Sequence, residues 1–252
     1  MKKPLLILLL FTGLSQYGQS SLLRTGSTSS SSYQETRYYN PAEELLYWII
    51  SEITYGILIE SFLEKDTPMH DASLTPYPYF SENEGNYTYD GESVPFRVEA
   101  VSTLMFDNRQ HLTGSFSAKL RFAKRLDIRA GYIHLLPDKH TLEVSQTDFV
   151  LDYHRIRTRR LDFWYGLGVV FSKYTEDNTG LVLNLGSELF LGKKLSAEAL
   201  IKWDFYEQGT HRHTNFQLNY FLSHWRLYAG IRKYKYASPR ASTPQFGIKY
   251  YF

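Results

Sequence analysis

From residue 94 to residue 252, apolar and polar side chains alternate with the period of two that gives a β-strand one greasy and one wet face. In 94–106, Phe96, Val98, Ala100 and Leu104 share a side opposite Arg97 and Glu99. The same reading holds for segments 112–122, 126–132, 148–154, 161–171, 181–191, 195–205, 216–222 and 226–232. It ends on 245–252, where Phe246, Ile248, Tyr250 and Phe252 oppose Gln245, Gly247 and Lys249. One alternating segment is weak evidence. About ten in series predict an antiparallel, up-and-down sheet closed on itself, because few other arrangements keep one face of every strand apolar. The predicted connections alternate too. Those at 123–125, 155–159, 192–193 and 223–224 are short, and those at 137–141, 173–180, 206–213 and 236–244 are mostly longer.

The pattern is different before residue 94. Residues 1–20 carry Lys2 and Lys3, an apolar run at 5–11 and the small residues Gly18 and Ser20, which predicts a secretory signal peptide. The run is too short for a transmembrane anchor, which needs about 20 residues. Residues 21–40 are Ser-rich and read as a flexible tether. Within 41–93, residues 41–64 predict an amphipathic helix. Asn40 suits its cap and Pro41 its first turn, and Leu46, Ile49, Ile50, Ile53 and Ile57 share one side. Glu52 and Glu60 argue against a full membrane span. That helix is expected as a plug, a lid, an interfacial element or simply a segment packed on the barrel mouth, and a two-stranded hairpin turning near Gly56 is the alternative. Residues 65–93 are rich in Pro, Asn and Gly and hold Tyr77, Tyr79, Phe80, Tyr87 and Tyr89, the composition of a long loop that docks on something.

Composition narrows the class. Aromatics make up 16% of the 252 residues, with 21 Tyr, 16 Phe and 4 Trp, enough for two interfacial girdles. Mean hydropathy is −0.36, which argues against a helical membrane protein but not against a barrel whose apolar residues alternate with polar ones. A net charge of +2 without a long basic run gives no sign of a nucleic-acid partner. Without Cys there is no disulfide, thiolate metal site or lipidated Cys.

A soluble lipocalin-like barrel would alternate in the same way with the opposite sense, apolar inside and polar outside. The signal peptide, the loop lengths and the aromatic end favour the membrane form. Residues 94–252 resemble the outer-membrane β-barrels of Gram-negative bacteria, in style the small barrels of the Bacteroidetes, and Tyr250-Tyr251-Phe252 resembles the closing-strand signal their assembly machinery reads. The resemblance implies an all-β fold: a transmembrane antiparallel up-and-down β-barrel of about ten strands, preceded by the amino-terminal helix and long loop. It implies the bacterial outer membrane as location, with lipid and the barrel-assembly machinery as partners and Tyr250 and Phe252 as the assembly signal. A periplasmic or extracellular protein partner is a further expectation.

The expected lumen is charged on both signs. Arg97, Lys119, Arg121, Arg129, Lys202, Arg226, Arg232 and Lys249 face Glu99, Asp127, Asp148, Asp152, Asp162, Glu188, Glu198 and Asp204. Balanced sets predict ion-paired networks filling a narrow barrel, whereas a charge-selective pore favours one sign. His111, His134, His140, His211 and His213 fall near the longer loops, with Asp107, Asp138, Glu176, Asp177 and Glu207. A His beside a carboxylate is the minimum for a rim hydrolase or acyltransferase, which makes His211, His213, His111 and His140 candidate catalytic residues. No metal or other cofactor motif, phosphate loop, HExxH or GxSxG is present. Three functions follow as expectations: a structural, anchoring or binding barrel; a small-solute channel or transporter; and a membrane-embedded hydrolase or acyltransferase.

Overall fold

The computed structural model describes Ser51 and residues 71–80, 85–106, 112–122, 124–135, 144–173, 177–207, 209–235 and 240–252. The signal peptide at 1–20, the tether at 21–40 and, apart from Ser51, the helix at 41–64 lie outside these residues. The strands are β1 (Ser73–Leu74), β2 (Tyr87–Thr88), β3 (Phe96–Phe106), β4 (Leu112–Phe122), β5 (Leu126–Leu135), β6 (Val144–Arg157), β7 (Leu161–Lys173), β8 (Asp177–Gly192), β9 (Leu195–Tyr206), β10 (Gly209–Leu222), β11 (Trp225–Lys235) and β12 (Arg240–Tyr251). Among the described residues, β3 to β12 pair antiparallel with their sequence neighbours, and β12 pairs with β3 to close the barrel. β1 and β2 form a separate two-stranded ribbon.

The wall is built inside out relative to a soluble protein. Outward residues such as Phe116, Leu218, Leu227 and Phe246 are exposed, while inward Arg97, Arg226, Asp127 and Asp204 are buried. One part of the outward face is also covered. Tyr153, Tyr165 and Leu183 are buried together there, with Phe163, Leu167 and Trp203 packed around them.

Large rings fill parts of the lumen where a glycine faces them. A Cβ on Gly186 would lie 2.4 Å from the Trp164 ring, and one on Gly247 would lie 2.2 Å from Tyr228. At one end the hairpins are tight. Lys193 and Lys194 link β8 to β9 with φ of 52° and 64°, the left-handed pair that matches strand twist in a two-residue turn. The opposite connections expected at 173–180, 206–213 and 236–244 are shorter than that reading, whereas the one expected at 137–141 is longer, lying between Leu135 and Val144. The predicted loop at 206–213 is mostly strand, since β9 runs to Tyr206 and β10 restarts at Gly209, and β8 begins at Asp177. β8 has 16 residues and β10 has 14. A tilted strand needs about 9–11 to cross the bilayer, so both project beyond it on this side.

The expected turn at 155–159 also begins as strand. The β6–β7 register shifts between His154 and Ile156, a bulge that places Arg157 opposite Asp162. Without the extra residue, strict alternation would turn Arg157 to the outside.

The ladder lengths differ around the ring. β12 meets β3 only from Gln245↔Met105 to Tyr251↔Glu99, whereas β7 meets β8 from Leu161↔Leu189 to Lys173↔Asp177. The shorter seam joins the two ends of the barrel sequence, so it lacks a connecting turn. Its amides are expected to exchange with deuterium faster than those of β7–β8. Equal protection of Ala100 and Ser102, whose amides face β12, with Gly166 and Gly168, whose amides face β8, would contradict this.

Candidate functional site

Inward positions on β3–β12 bring the charged residues into the lumen in linked groups. Nearest the tight turns, the His154 ring lies between two carboxylates. Its Nδ1 is 2.6 Å from Asp162 Oδ1, and its Nε2 is 2.8 Å from Asp127 Oδ2. Arg121 donates to Asp162 at 3.1 Å and to Asp127 at 3.4 Å, and Lys119 lies 3.2 Å from Asp127. Beside them, Arg97 and Lys249 both hold Glu99, at 2.9 Å and 3.1 Å. The three carboxylates are buried, and each is matched by at least one neighbouring cation.

A second group centres on Arg226. It pairs with Glu188 at 3.1 Å and with Glu198, while Ser196 donates to Glu188 at 2.6 Å and Gln217 to Glu198 at 3.0 Å. A third lies further from the tight turns. Lys202 pairs with Asp148 and, at 3.4 Å, with Asp204, and Gln146 donates to Asp204 at 3.0 Å. Asp152 accepts from Asn184 at 2.7 Å. Arg129 and Arg232 also point inward and line a cavity of about 140 Å³ in mid-barrel.

Residues 71–80 and 85–95 pack against the lumen at the tight-turn end. Their buried core is Ala72, Leu74 and Tyr87, and Val94 N donates to the Leu74 carbonyl at 2.9 Å. The Asn86 side chain reaches into the charge network. It donates to Asp162 at 2.9 Å and accepts from Arg97 at 2.8 Å. Arg97 also donates to the Thr75 carbonyl at 3.0 Å. Burial and the nearby Asp162 carboxylate push the Tyr87 phenol well above its ordinary value, so it stays neutral beneath Arg121. Tyr79 packs against Phe221 at 5.1 Å and Phe190 at 6.0 Å, and its hydroxyl donates to the Leu195 carbonyl. With Tyr251, these rings form an aromatic floor.

Of the candidate catalytic residues, His111 and His140 lie outside the described residues. His213 faces inward, with Nε2 2.8 Å from Asp204 Oδ2. That carboxylate is shared with Lys202 and Gln146, which suits a fixed structural pair. His211 stands opposite Asp204 in the β9–β10 register and its ring packs 5.0 Å from Tyr206. Among the described residues, no group of three or more His, Asp or Glu is arranged to hold a metal.

Tyr250 and Phe252 are on the outer side, with rings 4.6 Å apart, and Tyr250 lies 4.5 Å from Trp225. Tyr251 turns inward to the floor. Reasoning from sequence missed His154, Asn86 and Arg157 as parts of the network. His154 carried a signal, since it shares the inward face of its strand with Asp148 and Asp152.

No protein-family model matches the chain, and no curated protein matches it. Solved structures similar to it include the N-terminal β-barrel domain of Pseudomonas aeruginosa OprF, at 11% identity over 62% of this chain and 96% of that one, with a TM-score of 0.31. The KdgM porin is similar at 11% identity over 62% and 99%, with a TM-score of 0.37. Neisserial surface protein A is similar at 12% identity over 62% and 96%, with a TM-score of 0.30. The deciding observation is in the wall itself. A closed ring of strands that exposes its apolar side and buries its charges suits hydrocarbon outside, not water. The chain is a ten-stranded β-barrel that spans a membrane with its strands.

Proposed function

We propose that the protein is an occluded outer-membrane barrel with an anchoring or binding role, and that its lumen does not conduct freely. The observation that carries this reading is the seating of Asn86 between Arg97 and Asp162, which fastens residues 85–95 across the lumen. The aromatic floor supports it by filling the space beside that segment. Outer-membrane barrels keep their short turns on the periplasmic side, so the closed end faces the periplasm. Lipid contact along the wall belongs to the same reading. So do an assembly signal at Tyr250 and Phe252 and a protein partner at one mouth.

Planar-bilayer recording tests it. The full protein is expected to give a flat current trace, and deletion of residues 71–93 is expected to produce discrete conductance steps. Folding of the deletion variant is checked by heat-modifiable gel mobility. Steady conductance from the intact protein at low voltage would make it a channel instead.

A further inference from the structure

We infer that the mid-barrel cavity is a binding site for a small oxyanion, a carboxylate or a phosphate group, held by Arg129 and Arg232. Three observations lead there, independently of whether the barrel conducts.

The first is a pair of neighbouring cations, one of which makes no direct ion pair among the described residues. Lys119 and Arg129 stand directly opposite each other in the β4–β5 register, both facing inward. Like charges so placed repel, and need a carboxylate close by. Lys119 has Asp127 at 3.2 Å, but that carboxylate already serves His154 and Arg121. Arg129 makes no ion pair or hydrogen bond among the described residues. Asp148 and Asp152 lie on the adjacent strand, opposite Gly131 and Asp127; Asp148 pairs directly with Lys202, and Asp152 accepts from the neutral Asn184 amide and offsets Arg129 only at longer range.

The second is Arg232 on the far wall. Its only polar contact among the described residues is with the neutral Tyr234 hydroxyl at 3.4 Å. Following the ring from β11 through β12, β3 and β4 to β5 sets the two guanidinium groups on nearly opposite sides of the lumen.

The third is the space between them. Both arginines line the cavity of about 140 Å³, together with Ser117, Asn215 and Gln217. A guanidinium offers several N–H donors in a plane and matches an oxyanion with two parallel hydrogen bonds. The Ser117 hydroxyl adds a further donor in the same lining. The other two carboxylates facing the space are already engaged, Asp148 by Lys202 and Glu198 by Arg226 and Gln217. Of the cations lining the space, Lys119, Lys202 and Lys249 are held in ion pairs, and Arg129 and Arg232 make none among the described residues. The closed floor lies on the tight-turn side, so entry is from the opposite mouth.

Calorimetric titration of the purified full-length barrel in detergent tests this, using sodium acetate and inorganic phosphate at constant ionic strength, with choline as the cation control. Saturable binding of at least one anion, and none of choline, is expected. Arg129→Gln and Arg232→Gln are each expected to weaken it about tenfold or more, the size of one lost charge-assisted hydrogen bond. Response to acetate alone assigns a carboxylate ligand, and response to phosphate alone a phosphate. Lack of saturable binding of either anion by the unmodified protein overturns the inference. So does binding that neither substitution changes in variants with native heat-modifiable mobility. If Arg129→Gln does not fold, Arg232→Gln and the unmodified protein still decide it.

Discussion

Asp162→Ala is expected to destabilise the barrel by about 3–5 kcal/mol, the usual cost of removing one partner from a buried ionic network. The carboxylate is fully buried and receives three groups: His154 at 2.6 Å, Arg121 at 3.1 Å and Asn86 at 2.9 Å. Its loss strands the Arg121 guanidinium, whose remaining acid, Asp127, is shared with Lys119 and His154. It also releases one of the two side-chain bonds that seat Asn86. The substitution is therefore expected to lower the urea midpoint and to speed proteolysis within 71–93 together. Asp162→Asn, which keeps an acceptor for Asn86, is expected to fall between the two proteins. An unchanged midpoint in the Ala variant would mean that the charges fill the lumen without holding it.

Leu218→Arg tests the outside of the wall. Leu218 is 55% exposed, and at the surface of a soluble protein such a change costs within about 0.5 kcal/mol. In a bilayer the cost of Arg on the lipid face is about 2–4 kcal/mol at the midplane and about 0–1 kcal/mol near the interface. Leu222→Arg is the paired control, because Leu222 points the same way but ends β10 beside the tight turn. Urea titration of folding into lipid vesicles is expected to show a large loss for Leu218→Arg and a small one for Leu222→Arg. Equal, small losses would remove the lipid from the outer face.

The strands of the wall were readable because hydrocarbon imposes a simple rule on every second residue. Where that rule lapses, the reading loses its way. Thr210, His211, Arg212 and His213 are polar on both faces, so 206–213 looked like a loop, yet the β9–β10 ladder continues through it. Arg155 breaks the alternation as the extra residue of a bulge, which hid the inward turn of Arg157. The aromatic residues of 65–93 announced a docking segment without naming its seat. The seat is built from distant parts of the chain, as in the Asn86–Asp162 bond across 76 positions. Alternation likewise put charges on the inward face but carried no information on partners. It could not separate Asp127, shared by Lys119, Arg121 and His154, from Arg129, which makes no direct ion pair among the described residues, a difference that arises only when ten strands curve round one axis.

Asn86 has a mechanical consequence as well. Its amide grips Arg97 on β3 with its oxygen and Asp162 on β7 with its nitrogen, and these strands stand four places apart on a ring of ten. The side chain acts as a tie rod across a hoop. A hoop braced along a chord resists being squeezed into an oval, so lateral pressure from the surrounding bilayer meets a stiffened mouth at that end. Cutting the tie would soften the rim and unseal it in the same event.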